Sequence, residues 1–295
     1  MPIPAVSVII PAYNRPAFLA EALNSVAAQT FRDFEVIVID DGSSEDLAPT
    51  VKPHSAFARL VRQEHGGPAV ARNHGLRLAS AEIVAFLDSD DLWLPQKLER
   101  FVAAMGNKRD TRIFYGPMLP MEEHGDLVDG RTKPRHAGDI TQPLFHSCFV
   151  DIPTVVCHKE VLRAAGGFDE SLSVCEDYDL WLRVSLKDSF GFIEEPLAKR
   201  RLHAQRLSKA DMPQNLAVKA RMLERFWNRP EARAKIDPEV AAARLGRVFY
   251  SAARSSFRGG LFAQATDQAR TARGFRGAPW RAIPLDWCST VCAMV

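Results

Sequence analysis

The sequence has few of the features that mark membrane, secreted or nucleic-acid-binding proteins. It contains no run of about 18 uninterrupted apolar residues, so no membrane-spanning helix is expected. The start, Met1–Pro4, leads into an apolar segment without the basic region of a signal peptide. Lys and Arg number 38 against 36 Asp and Glu, and this balance does not indicate a nucleic-acid partner. The five cysteines form no CxxC pair, so we expect a reduced, cytoplasmic chain.

Short β-branched segments alternate with longer segments in which apolar residues have helical spacing. We predict strands at 6–10, 34–39, 59–63 and 82–87. Between and after them we predict helices at 15–29, from 67 and from 95. This alternation indicates crossover units and therefore an α/β protein with a mostly parallel central sheet flanked by helices. Such sheets bind ligands outside the carboxyl ends of their strands, where polar residues follow three of the predicted strands.

The rest of the chain has weaker patterns. Residues 118–140 are polar and rich in Gly and Pro, which predicts a hairpin or a mobile loop. A strand is expected at 151–157, a helix at 176–187 and one or two strands within 190–202. The composition then becomes rich in Ala and Arg with helical spacing, which predicts a domain over 1–207 and a helical C-terminal extension over 208–295.

An acidic cluster follows the apolar segment that ends at Leu87. Asp88 and Asp90 are two positions apart, so on an extended chain their carboxylates point to the same side. Buried carboxylates need a cationic partner, and two of them where a strand enters a loop form a suitable site for a hard divalent cation. Such a cation would also hold a diphosphate.

Several of these motifs together resemble the family 2 glycosyltransferases. The resemblance covers about residues 5–205 and implies a GT-A fold, a nucleotide-sugar donor, a divalent metal ion and inversion at the anomeric carbon. Each motif alone is unspecific, whereas the whole set in the family's order is specific. The matching segments are Val6–Arg15, Gln29–Phe31, Val38–Ser43, Gly66–Gly75, Phe86–Asp91, Gly166–Glu170 and Glu176–Arg183.

The resemblance assigns the nucleotide to residues after the first two strands. It implies that Pro11 and Tyr13 line the nucleobase pocket, where Tyr13 would stack on the base. Asp41, with Asp40 beside it, would accept a hydrogen bond from a base N–H, which favours UDP or dTDP. An ordinary turn followed by a helix cap is the structural alternative for Asp40 and Asp41. Arg72 is expected near the nucleotide or its diphosphate, because a guanidinium binds phosphate oxygens well.

The acidic cluster resembles the DxD motif of the family. The resemblance implies that Asp90 binds Mg²⁺ or Mn²⁺ and that Asp88 contacts the ribose or the sugar. Asp91 is either a third member or a helix cap. His203 lies in a basic segment similar to one that closes over the donor phosphates in relatives, and it is expected to bind the metal or a phosphate. A purely structural histidine is the alternative.

Asp177 is the candidate catalytic base. In the resemblance, the Asp of the Glu176–Asp177 pair removes the proton of the acceptor hydroxyl. Glu176 is its neighbour on the helix and points in another direction. The alternative is that both acids only favour a helix N-terminus, a solvated position that we also expect for Asp179. Trp181, at helical spacing, is expected in the core.

An inverting, metal-dependent glycosyltransferase is therefore our interpretation, with three alternatives. A nucleotidyltransferase would be expected to have a glycine-rich phosphate loop where this chain has Pro11–Asn14, and a dehydrogenase would have GxGxxG there. A non-catalytic scaffold that binds a nucleotide sugar would need no base. The acceptor is a glycan, a lipid-linked sugar or a protein in bacterial surface polysaccharide synthesis. The apolar residues of Trp280–Val295 would pack on the core, form a homodimer or contact the inner membrane as a peripheral protein.

Overall fold

The structure is a computed structural model that describes residues 2–129, 135–203 and 211–275. The chain divides into two compact units. The first comprises Met1–Ile140 and Cys148–His203, and the second Thr141–Ser147 and Ala204–Val295. The sequence analysis had placed 141–147 in the first domain, whereas the boundary it set at 207/208 lies outside the described residues.

The first unit is built on a seven-stranded sheet in which four neighbouring strands are parallel. Its four parallel strands are β1 (Val6–Ala12), β2 (Phe34–Asp40), β3 (Ala58–Arg62) and β4 (Ile83–Phe86). They lie in the order β3-β2-β1-β4, and β1 is central. The β-branched residues of β1 and β2 are buried because the sheet is covered by helices. This arrangement confirms the predicted fold class.

Three short strands extend the sheet beyond β4. They are β6 (Ile113–Tyr115), β8 (Val156–His158) and β9 (Phe190–Phe192), in the order β4-β8-β6-β9. β8 runs antiparallel to both of its neighbours. The strand predicted at 151–157 is wrong in its first half, where Ile152–Thr154 forms a 3-10 turn. Pro153 has no N–H to give to a strand ladder, and Thr154 donates its hydroxyl to the carbonyl of Asp151 at 2.7 Å.

A second, three-stranded sheet lies beside the acidic cluster. It contains β5 (Leu92–Trp93), β7 (Met118–Glu122) and β10 (Ala198–Leu202) in the order β5-β10-β7. β7 lies in the segment predicted as a hairpin or mobile loop, and an antiparallel bridge from Met121 to Leu127 closes a short hairpin there. Because β5 follows the acidic cluster and β10 leads to His203, this sheet holds both near each other.

Among the described residues, six α-helices belong to the first unit and flank its sheets. They are α1 (Pro16–Ala27), α2 (Ala48–Val51), α3 (Pro68–Leu78), α4 (Lys97–Asn107), α6 (Lys159–Ala164) and α7 (Glu176–Ser185). α3 crosses β1 very closely at Gly75, where a Cβ would lie 2.4 Å from Cγ2 of Ile9. Glycine at this position therefore sets the helix-to-sheet distance that brings Arg72 to the sheet edge.

The second unit is helical, as predicted for the C-terminal part of the chain. Its helices are α5 (Thr141–His146), α8 (Met212–Trp227), α9 (Pro230–Lys235), α10 (Pro238–Arg258) and α11 (Phe262–Gly274). α5 joins this unit because Arg244 donates to the carbonyl of Phe145 at 3.2 Å and Gln142 accepts from Asp237 N at 2.7 Å. Within the described part of the chain, every helix is too short or too polar to cross a membrane.

Candidate active site

The loops that follow β1, β2 and β4 meet at one edge of the sheet. Asp41 N donates to the carbonyl of Ala12 at 2.9 Å, which joins the second loop to the first. Asn14 N donates to Ser43 Oγ at 2.8 Å and strengthens that contact. The loops meet because the strands are parallel neighbours, so the gathering of polar motifs at this edge is confirmed.

Tyr13 presents its ring at this edge of the sheet. Its side chain is exposed, and its ring lies 4.3 Å from that of His65 with an angle of 31° between the planes. Pro11 is half-buried in β1 opposite Ile39. His65 was not singled out from the sequence, because only the fold brings it to Tyr13. Stacking of a base in this place stays a prediction.

Asp41 has a structural role that its sequence position did not reveal. One carboxylate oxygen accepts from Gln63 Nε2 and Gly66 N, each at 2.8 Å. The other accepts from Gly67 N at 2.8 Å and lies 2.9 Å from Nδ1 of His65. A carboxylate has about four lone-pair positions, so the loop between β3 and α3 fills three of them with hydrogen bonds and places the His65 imidazole beside the fourth. A contact from Asp41 to a base N–H stays a prediction that requires one of these donors to move.

Asp40 lies deeper than Asp41 and closes the turn after β2. Its side chain is buried, with Oδ1 accepting from Ser43 N at 2.9 Å and Oδ2 from Arg62 at 3.2 Å. This is the structural alternative that the sequence left open for Asp40. The structure brings Tyr13 and Asp41 together near His65, and it directs Asp40 toward Arg62 instead.

Arg72 is a buried bridge between two distant acidic motifs. Its Nη2 donates to Asp88 at 2.7 Å and its Nη1 to Glu176 at 2.5 Å. Burial alone would lower the pKa of the guanidinium, but the charges of Asp88 and Glu176 outweigh burial and raise it. Arg72 Nε is buried with no hydrogen-bond partner among the described residues, and the guanidinium carbon lies 5.6 Å from the Phe168 ring centroid. Arg72 therefore joins the acidic cluster after β4 to the start of α7.

Asp177 has the electrostatic environment of a base that works near neutrality. Burial, with the charge of Glu176 added, raises the pKa of Asp177 to about 7 against the opposing charge of Arg72. Its Oδ1 accepts from Tyr178 N at 2.7 Å in the first turn of α7. The residue before the pair, Cys175, has a left-handed backbone with φ 63°. A carboxylate with a pKa close to the working pH removes a hydroxyl proton efficiently.

The prediction that Asp179 is solvated is wrong. Asp179 is buried and its Oδ2 accepts from Arg183 Nε at 2.7 Å. Arg183 also donates to the carbonyls of Ala165 and Gly167, so the pair holds the Gly-Gly loop against α7. The i,i+4 spacing of Asp179 and Arg183 was the signal that would have found it. Trp181 is fully buried, as predicted for a core residue.

Asp90 and His203 are in direct contact. Asp90 Oδ2 lies 2.8 Å from His203 Nε2, although 113 residues separate them. His203 is buried, and its ring centroid is 5.4 Å from that of Phe18. Arg15 Nη1 lies 3.5 Å from the same Asp90 oxygen. The structure therefore brings together the two residues that the sequence offered as metal ligands.

The buried side chain of Arg201 stabilises the contact between Asp90 and His203. It is 1% exposed, and its guanidinium donates to the carbonyl of Asp90 at 3.0 Å and to Glu21 at 2.5 Å. Its backbone N donates to Asp91 at 2.9 Å, and burial together with Asp90 raises the pKa of Asp91. Asp91 is thus a buried anchor for β10. Local spacing in the sequence does not reveal this role, because the partners of Arg201 lie on other elements.

The site suits a metal ion that protein and diphosphate hold jointly. No group of three or more His, Cys, Asp and Glu side chains within 2–129, 135–203 and 211–275 is arranged to bind a metal. Mg²⁺ in phosphate-binding sites is held by one or two carboxylates plus phosphate oxygens, so a larger group is not required. Asp90 and His203 offer a carboxylate oxygen and an imidazole nitrogen at one point. The carboxylate is a ligand type that Mg²⁺ and Mn²⁺ prefer, whereas an imidazole nitrogen suits transition metals better than Mg²⁺. Their role as ligands stays a prediction.

Comparison with known proteins identifies the class of this fold and site. The family model for glycosyl transferase family 2 matches residues 7–145. An uncharacterized glycosyltransferase of Haemophilus influenzae is 30% identical over 207 residues, which cover 68% of this chain and 70% of that protein. The chain is thus similar to glycosyltransferases over most of its length. The chain belongs to glycosyl transferase family 2.

Other relatives and solved structures agree with this assignment. An uncharacterized glycosyltransferase of Rickettsia felis is 32% identical over 200 residues, and the chain spans only 33% of its length. S. aureus TarS 1–349, solved with UDP-GlcNAc, has a TM-score of 0.70 at 22% identity over 90% of this chain and 79% of its own. A Pyrobaculum calidifontis mannosyltransferase solved with GDP-Man and Mn²⁺ has a TM-score of 0.60 at 17% identity, over 98% and 84%. Both share the fold, which confirms the GT-A prediction.

Proposed function

We propose that this chain is an inverting, metal-dependent glycosyltransferase that moves a sugar from a nucleoside-diphosphate sugar to an acceptor hydroxyl. The observation that carries the proposal is the Arg72 bridge, which links Asp88 of the DxD loop at 2.7 Å to Glu176, the neighbour of Asp177, at 2.5 Å. The Arg72 guanidinium would therefore hold a donor-binding residue, Asp88, and the neighbour of the proposed base in a fixed arrangement.

The donor half of the proposal rests on the edge of the sheet. Tyr13 presents an exposed ring beside His65, which suits stacking on a base. UDP or dTDP is favoured because Asp41 would accept the N–H that uracil and thymine carry. Solved relatives of this fold hold UDP-GlcNAc or GDP-Man, so a nucleotide sugar suits the fold, while the base is proposed from Asp41 alone.

A metal ion held by Asp90 and His203 would balance the negative charge on the leaving diphosphate. Asp90 and His203 would hold Mg²⁺ or Mn²⁺, and the bound ion would act as a Lewis acid toward the departing nucleoside diphosphate. Arg201 fixes the backbone of Asp90, and Phe18 packs against His203, so both side chains are pre-positioned. Asp88, held by Arg72, faces the donor sugar or its ribose.

Asp177 would act on the acceptor. Its carboxylate takes the proton of the acceptor hydroxyl while that oxygen forms a bond to C1 of the sugar, and the bond from C1 to the diphosphate oxygen breaks. A single displacement of this kind inverts the anomeric carbon. The raised pKa of about 7 means that Asp177 is strong enough to take the proton and is still ionised near neutral pH.

The proposal also covers the acceptor of the sugar and the cellular location of the protein. A glycan, lipid-linked or protein acceptor in bacterial surface polysaccharide synthesis would suit a relative of the glycosyltransferases of Haemophilus and Rickettsia. A cytoplasmic location, peripheral contact with the inner membrane and a homodimer stay predictions. The segment Trp280–Val295, on which the last two depend, lies outside the described residues.

Ligand-dependent thermal stability tests the proposal. Wild-type protein should gain about 5 °C or more in melting temperature with excess UDP or dTDP and Mn²⁺, because a ligand that binds only the folded state stabilises it. Asp90→Ala should lose the Mn²⁺-dependent part of the gain, whereas Asp110→Ala, on an exposed turn, should keep it. No gain with any nucleoside diphosphate would contradict a nucleotide-sugar site. A gain without donor hydrolysis would favour the scaffold alternative.

A further inference from the structure

Arg15 and His203 both lie beside one carboxylate oxygen of Asp90. Arg15 Nη1 lies 3.5 Å from Asp90 Oδ2, and His203 Nε2 lies 2.8 Å from the same atom. The Arg15 side chain is 30% exposed, whereas that of His203 is 2% exposed. The carboxylate that would hold the cation is therefore already paired with a permanent positive charge at the solvent side.

An unusual backbone puts Arg15 in this place. Asn14 and Arg15 have left-handed φ angles of 56° and 57°, which side chains rarely adopt, and Pro16 normally favours an extended residue before it. The β2 loop holds this conformation, since Asn14 N donates to Ser43 Oγ at 2.8 Å and Asn14 Oδ1 accepts from Ser44 N at 2.9 Å. The contact between Arg15 and Asp90 is thus built by the turn and does not depend on chance packing of a surface side chain.

The chemistry of the two side chains separates their roles. A neutral imidazole has a lone pair and can ligate a cation together with Asp90. A guanidinium has no lone pair, so a divalent ion at Asp90 would displace Arg15 and be repelled by it. The fork of a guanidinium binds phosphate oxygens, and a nucleoside diphosphate on the ion would bring such oxygens to the same point.

We infer that Arg15 is the counter-ion of Asp90 in the ligand-free protein and transfers its ion pair to the donor diphosphate when a divalent ion takes Asp90. The inference rests on the proposed function. It makes the binding of metal and donor mutually dependent: Arg15 opposes the metal alone and favours the donor once the metal is present. By linkage, each ligand then strengthens the other by the same factor.

Arg15→Gln tests the inference with two binding measurements that do not require turnover. Mn²⁺ alone, followed by the electron paramagnetic resonance signal of the free ion, should bind about two- to fivefold tighter, the range expected for loss of a partly exposed ion pair. UDP with saturating Mn²⁺, followed by calorimetry, should bind about tenfold weaker or worse, because a charge-assisted contact is lost. The two effects have opposite signs, which a purely structural role would not produce.

Two further variants complete the experiment. Arg15→Lys keeps the charge, so Mn²⁺ alone should bind within about twofold of wild type while UDP affinity falls less than in Arg15→Gln. Arg100→Gln removes an exposed arginine paired with Glu195 at 3.4 Å and should change neither measurement. If Arg15→Gln weakens both ligands, or changes neither, the inference is overturned. If wild-type protein binds neither Mn²⁺ nor UDP, the proposed function itself fails.

Discussion

Arg72 and Glu176 are joined by a 2.5 Å hydrogen bond between Nη1 and Oε1, although 104 residues separate them in the chain. The second nitrogen of the same guanidinium holds Asp88 at 2.7 Å. Because Glu176 precedes Asp177, one buried cation fixes the geometry between the acidic cluster after β4 and the candidate base. Arg72 also limits how far the pKa of Asp177 rises through burial and Glu176.

Arg72→Ala should destabilise the protein strongly. Removing one partner of a buried ion pair typically costs about 3–5 kcal/mol, since Asp88 and Glu176 would be left without their cation. The free energy of unfolding from urea denaturation at pH 8 measures this loss. Arg100→Gln is the matched control, because its exposed pair with Glu195 is expected to contribute at most about 1 kcal/mol. Equal losses in both variants would contradict a buried structural bridge.

The rate of donor hydrolysis should increase with pH and level off above about pH 7, because Asp177 acts only when ionised. Glu176→Gln removes a negative charge that raises this pKa, so the midpoint of the kcat/KM profile should move to lower pH. The measurement is kcat/KM from pH 5 to 9 for both proteins. An unchanged midpoint in Glu176→Gln would show that another group controls the profile.

The stability of wild-type protein relative to Asp177→Asn should fall as pH rises. The pKa of Asp177 is about 7 in the folded protein against an ordinary 3.8, so the folded state holds the proton more tightly than the unfolded state. The contribution of the acid is complete below about pH 4 and is lost progressively up to about pH 7. Urea denaturation of both proteins at pH 4.5, 6 and 8 measures this trend. A difference that grows with pH would contradict it.

The sequence predicted the parts of the fold whose signals are local. The β-branched residues of Val6–Ile10 and Phe34–Ile39 marked two buried strands, and the helical spacing of Leu19, Leu23 and Val26 identified the buried face of α1. The positions of the acidic motifs followed from the strand ends, because parallel neighbours end at the same edge. Family resemblance added the expected roles of Asp90 and Asp177, which stay predictions.

The remaining features depend on contacts between distant segments. Arg201 is buried because its partners Glu21 and Asp90 lie on other elements, and nothing in its own neighbourhood distinguishes it from a surface arginine. Asp41 is occupied by the loop after β3, which only the folded chain brings to it. β7 was unpredictable for the same reason, since its partner β10 is about 80 residues further along the chain.

Gly75→Ala should destabilise the fold by about 1–3 kcal/mol, because the new methyl group would overpack α3 against Ile9 of β1. Gly106→Ala is the control in another helix, where a Cβ would meet nothing within 4 Å, and it should gain about 0.5–1 kcal/mol. Thermal denaturation of both variants measures the difference. A stabilised Gly75→Ala protein would show that α3 lies further from the sheet than described here.

The central claim is that Asp177 is the base of sugar transfer, and Asp177→Asn tests it most directly. UDP binding with Mn²⁺ and UDP-sugar hydrolysis should be measured on the same preparation, with Asp110→Asn as the exposed control. Asp177→Asn should bind UDP within about twofold of wild type and lose at least about 100-fold in hydrolysis, the usual contribution of a general base. Hydrolysis at the wild-type rate with unchanged UDP binding would contradict the account.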